Sequence, residues 1–183
     1  VRDYRPGQWV TLDARTARKE FRELMREMPS RIDELQNLLK KYGLELGADA
    51  ASLQRLNDWF LSNITADREG IYPTKEWRSV ALDIGLFIGE HARRERPTLR
   101  WEIVSTGPSF VDYRRHVLSG FTNVPYTKYR FSPSNAVFVY ALNAIAGDED
   151  EIVLVGDMPM SFTHRPLDRD ELPKLMSGLL ERA

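Results

Sequence analysis

Apolar residues in the first half of the chain fall on helical stripes. Ala17, Phe21, Leu24, Met25 and Met28 step by four, three, one and three, which predicts one face of a helix capped by Asp13. Pro29 is expected to interrupt it, and Ser30-Arg31-Ile32-Asp33 to open the next helix, although a strict capping box has Glu or Gln in the last place. Ile32, Leu35, Leu38, Leu39 and Tyr42 continue the pattern up to Gly43, a natural left-handed stop. A further helix is predicted from Asp49 or Ala50, with Leu53, Leu56, Trp59, Phe60 and Ile64 on its apolar face. Asp67-Arg68-Glu69-Gly70 reads as a loop. A long helix then runs from Thr74 to Arg94 on Trp77, Val80, Ala81, Ile84, Phe87 and Ile88, and ends at Arg96-Pro97.

The second half changes period. Leu99, Trp101 and Ile103 alternate with Arg100, Glu102 and Val104, the mark of a strand. Thr106-Gly107-Pro108-Ser109 is a turn, and short strands are expected within Phe110–Phe121 and Lys128–Phe131. Ser132-Pro133 suits a helix start with proline in its first position, but Val137-Phe138-Val139-Tyr140 is a strand-like run. Helix and strand both stand for 136–146. Ile152–Val155 reads as a short buried strand or a helix end, Met158–Pro166 as a loop, and a last helix starts at Asp168 or Asp170. Helices first and strands later argue for an α+β fold: N-terminal helices packed on a small, mainly antiparallel sheet, with a C-terminal helix. One domain is expected over 1–183, divided into a strap at 1–12, a helical half at 13–96 and a mixed half at 97–183.

Composition narrows the function classes. The chain has 183 residues, 26 basic and 27 acidic, so its formal charge of −1 gives no support to a nucleic-acid binder acting through bulk charge. With no cysteine, thiolate zinc sites, disulfides and cysteine nucleophiles are excluded. No apolar run approaches the roughly 18 residues of a membrane span. Val1 to Pro6 lacks the apolar core of a signal peptide. A cytoplasmic location is expected.

Phosphate-loop, nucleophile-elbow, HExxH and EF-hand patterns do not occur, and His91, His116 and His164 are too far apart to form a local metal motif. No cofactor is expected. Gly85 and Gly89 share a helix face. Two interior glycines cost about 1 kcal/mol each relative to alanine, which close approach of another backbone would offset; a ligand cleft floor is the less favoured reading. Asp83 and Glu90 project from nearly the same face, seven residues apart. Acid–base or metal chemistry is one reading of that pair, and partnership with arginines the preferred one. Arg100, Arg114, Arg115 and His116 form a second cluster, which meets the two carboxylates if the strands lie on the long helix. Such a network either organises the fold or binds an anion. Tyr126, Tyr129 and Arg130 admit a base-stacking reading, to which sheet packing is preferred. The loop at 159–164 is a candidate partner contact.

Four stretches resemble a family of uncharacterised bacterial cytoplasmic proteins of unknown function. They are Arg5-Pro6-Gly7-Gln8-Trp9-Val10; Ser52-Leu53 through Trp59-Phe60; Pro73 through Trp77-Arg78-Ser79 with Asp83-Ile84 to Gly89-Glu90; and Leu99-Arg100-Trp101-Glu102 with Arg115-His116-Val117-Leu118-Ser119-Gly120-Phe121. The resemblance covers residues 5–131 and brings no catalytic residue with it. The Gly-Glu then Arg-Trp theme is similar to that of some small proteins encoded near polymorphic toxins. The expected function is a non-enzymatic protein-interaction module, toxin-immunity-like in its sharpest form, with another protein as partner. The alternative is a small-molecule or anion-binding protein or enzyme using a polar cleft around Asp83, Glu90, Arg100, Arg114, Arg115 and His116. Neither nucleic acid nor a membrane is expected as a partner.

Overall fold

In the computed structural model the described residues are 11–105, 113–126, 128–146 and 167–183, together with the backbone of 152–155 and 158–161. Local signals start the first three helices. Asp13 accepts hydrogen bonds from the amides of Arg15 and Thr16 and opens α1 (Ala14–Lys40). Asp49 accepts from the amide and hydroxyl of Ser52 and opens α2 (Ala50–Asn63). Thr74 opens α3 (Lys75–Glu95), which ends two residues before Pro97. Each cap satisfies amides that the first helical turn leaves without partners.

Pro29 does not break the helix. It lies inside α1, which runs unbroken for 27 residues. An interior proline costs about 3 kcal/mol. The buried stripe Ala17, Leu24, Met28, Arg31, Leu35 and Leu39 passes straight through it, and burial along that stripe outweighs the local cost. Ser30 caps nothing: its hydroxyl donates to the Glu27 carbonyl.

The sheet consists of β1 (Arg100–Ile103) and β2 (His116–Ser119), antiparallel, with Arg100 opposite Ser119 and Ile103 opposite His116. Phe131 bridges to Leu118 on the far side of β2. The predicted strand at 110–121 is therefore limited, in its described part, to His116–Ser119, and that at 128–131 to the Phe131 bridge. Gly120 stops β2 with φ +89°, and a Cβ there would lie 2.0 Å from the Thr98 carbonyl oxygen. Only glycine fits that close, left-handed position.

Residues 136–146 are helical, within α4 (Pro133–Ala146). Val137, Phe138, Tyr140 and Ala141 are buried, a helical stripe that overrides the strand preference of the β-branched run. Past it, β3 (Ile152–Val155) pairs antiparallel with β4 (Met158–Ser161). That corrects the expected loop at 158–166. Two residues, Gly156-Asp157, separate the strands in sequence, a common hairpin spacing, and Pro159 is tolerated because both strands of a two-stranded ladder are edges. Residues 1–10 of the strap, the turn at 106–109 and residues 162–164 of the candidate contact loop lie outside the described residues. The chain closes with α5 (Glu171–Arg182).

Helix α3 is the centre of the fold, with α1, α4 and α5 packed against it and α5 also lying on α2. Twelve of its residues are buried, Arg78 to Ala92, on nearly every side. Phe60, Ile84, Ile88, Leu118, Val137 and Leu172 belong to the main core; Leu24, Met28, Leu82, Leu86 and Phe138 form a second one between α1, α3 and α4. Among the described residues no helix is long and apolar enough to cross a membrane.

Candidate functional site

The glycine pair on α3 is a seat for other parts of the chain. A Cβ on Gly85 would lie 2.3 Å from the Ser134 Cα, and one on Gly89 would lie 2.5 Å from the Trp101 ring and 3.1 Å from Pro133. The first turn of α4 and the first strand of the sheet therefore rest directly on the helix backbone. The preferred reading, tight contact, holds at both glycines.

Asp83, two residues before Gly85, faces α1. Its carboxylate accepts from Arg31 Nε at 2.6 Å, and Arg31 Nη2 donates to the Ser79 hydroxyl at 3.0 Å. Arg31 and Asp83 are both 7% exposed. Burial pushes the Asp83 carboxyl up to about 7; the charge and hydrogen bond of Arg31 oppose that rise, and Glu34 adds to it.

Glu90 is two turns further on. It accepts a bidentate pair from Arg93 at 2.9 and 2.8 Å, a bond from Arg94 at 3.2 Å and one from the Trp101 indole at 3.3 Å. The Arg93 hydrogen bonds hold its carboxyl below the ordinary glutamate value despite burial, with help from the Arg93 charge, Trp101 and Arg94.

The expected convergence of the four strand-borne residues on these carboxylates does not form: neither Asp83 nor Glu90 is bonded to Arg100, Arg114, Arg115 or His116. Strand alternation is the reason. Trp101 turns toward α3, so Arg100 and Glu102 project from the opposite face of β1, and Arg100 is exposed with its Nε 3.9 Å from Glu102. Arg114 has φ +60°, and its guanidinium lies 4.7 Å above the Tyr113 ring. Arg115 donates to the Asn135 side-chain oxygen at 2.8 Å. His116 is fully buried, its ring 6.1 Å from that of Trp101. Of the base-stacking candidates, Tyr129 packs edge-on against Phe121 at 5.0 Å, while Tyr126 is exposed.

Two partnerships went unread in the sequence. Arg93 and Arg94 sit three and four residues beyond Glu90, the spacing at which helical side chains meet, so that network was locally legible. Arg31 interrupts the apolar stripe of α1 between Met28 and Leu35, and a lone charge in such a stripe signals a buried partner. Which residue supplied it was not legible, because Asp83 is far away in sequence.

Among the described residues no three His, Asp or Glu side chains converge as metal ligands. An open depression of about 290 Å³ is lined by Asp58, Leu61, Ser62, Ala144, Leu167 and Arg169, none of which belongs to either carboxylate network. No protein-family model, no curated protein and no solved structure matches the chain.

Proposed function

We propose that the protein is a non-enzymatic, bacterial cytoplasmic protein-interaction module of the kind that neutralises a toxin by covering it. The observation that carries this reading is that both candidate carboxylates are already engaged within the chain. Asp83 is held by Arg31, Glu90 by Arg93, Arg94 and Trp101, and Arg115 by Asn135. A general acid, base or nucleophile must face a cleft that admits substrate; these carboxylates face inward and are bonded to arginines of the same chain. The Gly-Glu then Arg-Trp theme, similar to that of some small proteins encoded near polymorphic toxins, supports the same reading.

The test has two arms. A partner is captured from the native host, identified, purified and titrated against this protein by calorimetry, with inhibition of the partner's own activity as the readout. In parallel, inorganic phosphate, nucleotides, dicarboxylates and divalent ions are screened for a rise in melting temperature. A stoichiometric inhibitory complex supports the module. A rise of several degrees with one ligand class, and no protein partner, overturns it in favour of a small-molecule or anion-binding protein.

A further inference from the structure

Two carboxylates flank strand β1, and each carries two arginines. Glu90 is bonded to Arg93 and Arg94 on the Trp101 side. On the opposite face, Glu102 accepts from Arg130 Nε at 2.6 Å and lies 3.9 Å from Arg100 Nε. One guanidinium neutralises one carboxylate, so each triad keeps a surplus positive charge. The surplus faces water: the side chains of Arg94 and Arg100 are 70% and 69% exposed, those of Arg93 and Arg130 41% and 37%. Arg96 adds a cation whose bond goes to the Glu95 backbone carbonyl, and Lys128 is exposed as well. Glu95 offsets one of these charges, and among the described residues named here the cations still outnumber the carboxylates, on a chain of formal charge −1.

Helix stabilisation accounts for part of the arrangement, since cations suit the C-terminal turn of α3. It does not account for Arg100 and Arg130, which come from the sheet and a later loop and converge on a second carboxylate. Arg94, Arg100 and Arg130 meet these carboxylates through Nε. A guanidinium already held in place loses less freedom on binding, and its fork matches a carboxylate. Tyr126, in the loop that leads to Arg130, is 73% exposed. Arginine and tyrosine are both enriched in interfaces relative to the rest of a protein surface.

We infer that the two arginine triads, one on each side of β1, hold an acidic segment, clustered Asp and Glu, of a partner protein that passes over the free edge of β1. This rests on the interaction-module reading and adds to it the face used and the charge of the partner.

The probe is a fluorescein-labelled oligoglutamate peptide, followed by anisotropy with the full chain; an oligolysine peptide and single-stranded DNA of equal length are the comparators. The glutamate peptide binds, about tenfold more weakly at 200 than at 50 mM salt. Arg94→Gln/Arg100→Gln weakens it by at least about tenfold with the melting temperature unchanged. Arg68→Gln/Lys75→Gln, near the other end of α3 and about 30 Å away, leaves it unchanged. Equal binding by the two double variants overturns the inference, as does tighter binding of DNA than of the glutamate peptide. An inhibitory protein partner whose affinity is indifferent to Arg94→Gln/Arg100→Gln leaves the interaction module standing and removes this face from it.

Discussion

Arg31 and Asp83 meet at 2.6 Å in the contact between α1 and α3, both almost fully enclosed. Removing one of them leaves the other buried without its counter-charge, at a cost of about 3–5 kcal/mol. Removing both, as Arg31→Met/Asp83→Val, replaces two desolvated charges by apolar groups of similar total volume, and stability is expected to stay within about 2 kcal/mol of the original. The two single changes, Arg31→Met and Asp83→Val, should therefore sum to several kcal/mol more than the double change. Urea titration followed by tryptophan fluorescence measures all four proteins.

Proton linkage makes the same pair report on pH. The folded carboxyl of Asp83 lies at about 7, above its ordinary value of 3.8. Between those values the folded state binds more protons than the unfolded one, so stability falls as pH rises. The contribution is fully present below about pH 4, is lost as pH passes through 7, and is flat above. Its size is about 4 kcal/mol, at 1.36 kcal/mol per pH unit. Arg31→Met removes the cation that does most to hold the carboxyl down, which moves the decline to higher pH and makes it steeper between pH 7 and 8. Relative to the double variant, the original protein should lose stability from pH 5 to 7, with the titration of other groups cancelling in the difference. Single variants that each cost less than about 1 kcal/mol and add in the double, or a difference independent of pH, would refute the reasoning.

Gly85→Ala puts a methyl 2.3 Å from the Ser134 Cα; pushing α4 off α3 should cost about 1–3 kcal/mol, seen as a lower urea midpoint. Pro29→Ala should stabilise the protein by about 1–2 kcal/mol, since α1 is continuous there and regains a backbone donor; a loss of stability on the same titration would mean that the proline serves the native helix. Asp49→Ala removes the acceptor of both Ser52 bonds at the start of α2 and should cost about 1 kcal/mol, whereas Asp49→Ser should restore most of it.

The parts of the fold that sequence made legible are those decided over a few residues. Asp13, Asp49 and Thr74 begin helices because a short polar side chain reaches the amides two or three positions on, whatever the rest of the molecule does. The readings that went astray set a local rule against a non-local gain. Pro29 argues for a break, but the stripe on either side of it buries against α3 and α4. The expected loop at 158–166 is a different case, since Met158–Ser161 pairs with the strand that ends only two residues before it.

The candidate site divides along the same line. That Asp83 and Glu90 share a face of α3 follows from the helical period, and so do Arg93 and Arg94 as partners of Glu90. Asp83 took its partner from a helix 52 residues away, and helical period says nothing about which helices become neighbours. The strand arginines illustrate the converse. Once Trp101 is known to rest on Gly89, the alternation of β1 sends Arg100 and Glu102 to the other face, where Glu102 gathers Arg100 and Arg130 into a second triad. The four cations expected to neutralise the helix carboxylates were not needed there, because α1 and α3 supply Arg31, Arg93 and Arg94. Arg100, with its guanidinium turned to water, is one of the positive charges left over, and a charge left over on a rigid strand is available to a partner in a way that one inside a satisfied network is not.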